Sequence, residues 1–159
     1  MTFNINQKGQ SLVEALVAMT AAVVIVSAIA IAVITSVNNS DFSKNQNLAT
    51  QYAQEGIEIL RGLSQSDWNS FSTYSGTYCL DQSSTTLTMP TNVSCSRNIN
   101  NFFVRQIDII QASDSCSGNA KISVSVSWGD GKCTNSANPY CHKVLLDSCL
   151  ANINSTQLP

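Results

Sequence analysis

One carboxylate, Glu14, stands at the head of a run from Ala15 to Ser40 that carries no charge at all. An acid bordering hydrocarbon is costly enough to be a functional hypothesis in itself. The groups that could answer it lie just upstream, in Lys8-Gly9-Gln10-Ser11-Leu12-Val13-Glu14. An amino group freed at Gln10 would lie about a helical turn from Glu14. In a stack of parallel helices, a neighbour's Gln10 ammonium would face that carboxylate. Such pairing removes most of the penalty of burying either charge, and it would fix the axial offset between subunits. The plainer role for Glu14 is to snorkel at the headgroup level of a simple anchor.

The second set of reactive residues is six cysteines, all between Cys79 and Cys149. That density in a small domain implies disulfides and an oxidising compartment. Six cysteines allow 15 pairings. A C-terminal hairpin narrows them. If Trp128 lies near Lys143, Cys133 and Cys141 face each other across the turn, Cys116 comes near the strand end holding Cys149, and Cys79 is left for Cys95.

Catalysis finds little support. His142 is the only histidine, and Asp147 and Ser148 follow too closely on one strand to complete a triad with it, so it is expected at the surface. Cys133, Cys141, His142 and Cys149 lack the paired spacing of a structural zinc site. Gly131-Lys132 is no phosphate loop, because Val126 stands where the first Gly is required and Cys133 where Ser or Thr is. Asp130, flanked by glycines, is explained by turn chemistry without calcium. No cofactor and no enzymatic activity is expected.

These residues need an anchor, a long helix and a small exported domain to position them. The run after Glu14 exceeds the ~20 residues that cross a bilayer. A cleavable secretory signal has a shorter apolar region of 7–15 residues ending at a small-residue site. The cysteines place the C-terminal side outside the cytoplasm and leave the leader inside. With eight basic and ten acidic residues, or seven and ten once Lys8 leaves with the leader, strong nucleic-acid binding is not expected.

Residues 10 to about 63 form one expected helix, uninterrupted by proline. Its first half is apolar all round, with alanines at 15, 18, 21, 22, 28, 30 and 32 that let neighbouring helices approach closely. Its second half is amphipathic, with Ala49, Tyr52, Ala53, Gly56, Leu60 and Leu63 on one face. Gly62 and the polar run Ser64 to Ser66 supply a stop. The expected units are a leader at 1–9, a membrane or filament-core half at 10–40, an amphipathic half at 41–64 and a β domain at 65–159.

From Asp67 to Asn101 the chain is rich in Ser, Thr and Asn, with short β-like pieces at Thr77–Leu80 and Thr85–Met89. Trp68, Phe71, Tyr74 and Tyr78 serve either as a recognition surface or, as aromatic burial favours, as pins holding this loop down. Strands are expected at Phe102–Ile110, Lys121–Trp128 and Lys143–Leu150. In the middle one, Ile122, Val124, Val126 and Trp128 share one face. An α+β fold results, an antiparallel sheet lying on the helix.

The junction at Gly9, the acid at Glu14 and the long apolar helix together resemble the type IV pilin superfamily, whose precursors carry a short basic leader ending in Gly and a Glu at the fifth mature position. With Gln10 as the first mature residue, Glu14 is the fifth. The stretch Leu48 to Arg61 and the turn Trp128-Gly129-Asp130-Gly131 also look like those of minor pilins. The resemblance implies cleavage and amino-terminal methylation by a membrane-embedded prepilin peptidase, then assembly of an inner-membrane precursor with other pilin subunits through the N-terminal helix. The product would be an extracellular pilus or a periplasmic pseudopilus. The chain departs from the family in having Gln10 where Phe is usual. It also has Val23 and Ile31 where many major pilins carry Gly and Pro. A minor pilin therefore fits best, ahead of a pseudopilin and then a major pilin. The contrasting reading is a membrane-anchored extracellular binding domain with aromatic recognition loops.

Overall fold

The computed structural model describes residues 7–89, 95–130, 133 and 141–152, with side chains from Leu12 onward. Residues 1–6 and the sequence motif Gly131-Lys132 lie outside that set. The chain divides into two units, Met1–Lys44 and Asn45–Pro159. Helix α1 (Gln7–Ser66) contributes to both.

α1 exceeds its expected bounds at each end. It begins at Gln7, so Gly9–Gln10, where the leader is expected to end, is helical; a single glycine costs a helix only about 1 kcal/mol. Gly62 does not stop it either. Ser64 and Ser66 turn their hydroxyls back onto the carbonyls of Arg61 and Leu63, at 2.8 and 2.9 Å. The helix ends where Asp67 leaves it to cap a new one. Helix α2 (Trp68–Phe71) was not expected from the sequence, and the Asp67 carboxylate accepts from its Ser70 N–H at 3.1 Å. Hydrogen bonds from the Ser70 hydroxyl and N–H hold the Asp67 carboxyl below its ordinary range.

The second unit is α+β. Strands β1 (Gly76–Cys79), β2 (Val104–Ser113), β3 (Asn119–Trp128) and β4 (His142–Leu150) form one antiparallel sheet in the order β1-β2-β3-β4. The expected piece at Thr85–Met89 is reduced to a single bridge, Cys79 with Thr88. Phe102 precedes β2 rather than opening it, because Asn100 and Asn101 adopt positive φ in a turn closed by the Ile99–Phe103 bridge. β2 runs on past Ile110 through a bulge to Ser113.

Along β3, buried residues alternate with half-buried ones, and Ala120, Ile122, Val124, Val126 and Trp128 all face the core. Ala49, Ala53 and Leu60 of α1 close that core from the other side. The closest approach is at Gly56. A Cβ built there would lie 3.0 Å from Val124 Cγ1 and 3.4 Å from Arg105 Cδ. Gly56→Ala is expected to change stability little, because a helix-propensity gain of about 1 kcal/mol offsets the crowding. Gly56→Val adds branched bulk with nowhere to go and is expected to cost about 2–3 kcal/mol. Urea titration of the two variants checks the contrast.

Disulfides join Cys79 to Cys95, Cys116 to Cys149 and Cys133 to Cys141, with Cα separations of 5.5, 5.6 and 5.5 Å. They close loops of 16, 33 and 8 residues. Restriction of the unfolded chain alone corresponds to roughly 3, 4 and 2.5 kcal/mol in that order.

Candidate functional site

Within the first unit, α1 presents an apolar surface that no described residue covers. From Leu12 to Val37 its large hydrophobic side chains are all exposed. This helix is long and apolar enough to cross a membrane. The 26 residues from Ala15 to Ser40 extend about 39 Å, against a hydrocarbon thickness of about 30 Å.

Three hydroxyls within the run fit a medium without water. Thr20, Ser27 and Thr35 donate to the carbonyls of Val17, Val23 and Ile31 at 2.9, 2.7 and 2.9 Å. Each hydroxyl is thereby satisfied inside its own helix, as a lipid-facing or helix-packed segment requires. Glu14 is different. It is exposed and makes no polar contact with any described residue. Helical spacing aligns it with Ala18 and Ala22, whose small side chains leave room for a second backbone. The carboxylate thus heads a stripe where another helix could come close. Gln10 lies in α1 one turn earlier, and its side chain is outside the described set.

In the second unit, the four aromatics are structural. Trp68, Phe71, Tyr74 and Tyr78 stack in series, with centroids 5.7, 6.4 and 5.5 Å apart. Phe71 and Tyr78 are buried in the core. The Gln111 side-chain amide donates to the carbonyls of Phe71 at 3.2 Å and Tyr74 at 2.8 Å, holding α2 and its following turn against β2. Tyr52 likewise packs edge-on against Phe103 at 5.3 Å and accepts from the Asn100 amide at 2.8 Å.

All six cysteines are in disulfides, so Cys133, Cys141 and Cys149 offer no thiolate to a metal. Among the described residues no three His, Cys, Asp or Glu side chains gather into a metal site. His142 is not a plain surface residue. It lies opposite Trp128 in the β3–β4 register, with ring centroids 5.3 Å apart, and its Nε2 is 2.7 Å from Asp130 Oδ2. The other Asp130 oxygen accepts from the Cys133 N–H at 2.8 Å. The pair ties the base of the turn to the strand that leaves it. Asp147 and Ser148 lie further along β4 and take no part.

Arg105 is the residue that sequence reasoning missed altogether. Its side chain is 0% exposed. Nε donates to Leu80 O at 3.0 Å, Nη1 to Tyr52 O at 3.0 Å and Nη2 to Asp81 O at 2.8 Å, while Glu55 Oε2 lies 3.6 Å from Nη1. Burial pushes its pKa down, and the nearby Glu55 carboxylate partly counters that. One guanidinium therefore joins α1, the segment after β1, and β2. Its available signal was parity, since Arg105 shares the buried phase of β2 with Ile107 and Ile109.

No protein-family model, no curated protein and no solved structure matches the chain.

Proposed function

We infer that the chain is a type IV pilin-like subunit, anchored in the inner membrane as a precursor, cut after Gly9, and assembled through α1 into a pilus or pseudopilus. The observation that carries this reading is Glu14. It is a carboxylate without a partner among the described residues, at the head of an uncovered apolar helix and one turn from the Gly9–Gln10 junction. A plain anchor has no use for that acid, whereas a stack of processed helices gives each one an ammonium to pair with. A minor subunit that initiates or caps the filament fits best, because Val23 and Ile31 leave α1 without the breakers of a partly melted core helix. The disulfide-closed domain, its aromatics turned inward, serves a mechanical role rather than catalysis.

Gly9→Val tests the processing step. The native chain is expected to lose residues 1–9 while the variant keeps them and stays in the membrane, as read by intact mass. Equal masses for the two proteins would remove cleavage after Gly9 from the account.

A further inference from the structure

Where α1, the segment after β1 and the turn before β2 meet, the surface carries uncharged side chains with hydrogen-bonding capacity to spare. Tyr52 packs its ring on buried Phe103 and accepts from the Asn100 amide at 2.8 Å. Its own O–H has no acceptor among the described residues. The Gln82 side-chain oxygen accepts from the Asn100 N–H at 3.3 Å, which leaves the Gln82 amide N–H donors unengaged. Asn100 Oδ1 and the whole Asn101 side-chain amide are likewise unengaged among the described residues, and Gln82, Asn100 and Asn101 are all exposed. Phe102 lies beside them, half-buried and edge-on to Phe103 with centroids 4.8 Å apart.

The backbone beneath this patch is fixed. The Arg105 guanidinium holds the carbonyls of Tyr52, Leu80 and Asp81. The Asn98 side chain exchanges hydrogen bonds with the Arg105 backbone, at 2.8 Å in each direction, and the Gln82 N–H donates to Asn98 O at 3.1 Å. The patch is therefore ordered before any ligand arrives, which lowers the cost of binding. Asn100 and Asn101 both adopt positive φ, at 49° and 52°. A turn with two such residues in succession ordinarily contains glycine. The Asn101 side chain makes no bond that would offset the strain, and strain retained in this way marks a candidate site.

We propose that this patch binds a neutral saccharide, with one face of a pyranose ring against Phe102 and its hydroxyls shared among Tyr52, Gln82, Asn100 and Asn101. Side-chain amides donate and accept, as sugar hydroxyls do. The C–H face of a sugar ring suits the negative face of an aromatic ring. A phosphate or a nucleic-acid strand would be held by cations, and none of these side chains is one. An extended peptide would be recognised along a strand edge, and none of these residues lies in a strand. The patch is within the second unit and does not depend on the role inferred for the apolar half of α1.

The test titrates the full-length chain, in a detergent without a sugar headgroup, with lactose, maltotriose and triacetylchitotriose. Saturation transfer to the sugar and the shifts of the Gln82, Asn100 and Asn101 side-chain amides are read by NMR. At least one of these sugars is expected to bind with a Kd of about 1 mM or tighter. Tyr52→Phe keeps the ring on Phe103 and is expected to weaken that binding about three- to tenfold. Asn101→Gly is expected to weaken it to a similar extent while the domain unfolds at no lower urea concentration, because glycine holds the turn without strain. A merely structural role for Asn101 would lower stability and binding together. Phe102→Leu retains apolar packing and is expected to abolish detectable binding. The proposal is overturned if none of the sugars shifts these amides at about 10 mM, or if folded Tyr52→Phe and Asn101→Gly chains bind as the native chain does. A single-stranded DNA oligonucleotide that moves the same amides at lower concentration than any of the sugars would overturn it too.

Discussion

Arg105→Ala is expected to destabilise the α+β unit by about 3–5 kcal/mol, a large part of the roughly 5–15 kcal/mol that holds a domain of this size together. The loss comes from what the guanidinium leaves behind. Leu80 O and Asp81 O lose their donors, and a cavity opens beneath Gly56, beside Arg105 Cδ. The ion pair is the smaller part. Glu55 is over a third exposed and sits 3.6 Å away, so Glu55→Ala should cost under about 1 kcal/mol. Arg105→Lys should recover only part of the loss, because one ammonium cannot reach three carbonyls as the guanidinium fork does. Urea unfolding of the three variants gives the ranking. If Glu55→Ala proved as damaging as Arg105→Ala, the ion pair rather than the carbonyl cluster would be what matters.

Glu14→Ala is expected to have the opposite profile, with no effect on the fold and a near-complete effect on assembly. Glu14 makes no polar contact with any described residue, and removing a charge makes membrane insertion of the helix easier. The variant should therefore be made, processed, disulfide-bonded and membrane-bound in native amounts. Its neighbour's Gln10 ammonium, however, would be left in hydrocarbon without a counter-charge. Removing one member of a buried pair costs about 3–5 kcal/mol, roughly a hundredfold or more in subunit association. Sheared filaments should then contain almost none of the variant. Native incorporation of Glu14→Ala would reduce Glu14 to a snorkelling acid on an anchor.

The parts of this fold that sequence made legible are those set by local period. The packed face of α1, from Ala49 to Leu60, follows helical spacing, and the alternation of β3 follows a period of two. The disulfide pairs followed from placing one hairpin. What escaped depends on partners far away in sequence. Arg105 looks exposed by its charge, and the carbonyls that satisfy it lie 24, 25 and 53 residues away. The Asp130–His142 pair forms only once the turn has closed and Trp128 has stacked on the imidazole. α2 is too short for any periodic signal, although the Asp67 cap that starts it was present in the sequence. At the amino terminus the positions of Gly9, Gln10 and Glu14 were legible, while the partner proposed for Glu14 belongs to another chain.

Intact mass and amino-terminal sequencing of the protein, from membranes and from sheared surface filaments, tests the central claim most directly. The account predicts a chain beginning at a charged Gln10, methylated or free, in the filament fraction. A chain beginning at Met1 and confined to the membrane would contradict it and favour an anchored binding domain. A Gln10 cyclised to pyroglutamate in assembled filaments would contradict the ammonium pairing with Glu14 while leaving cleavage intact.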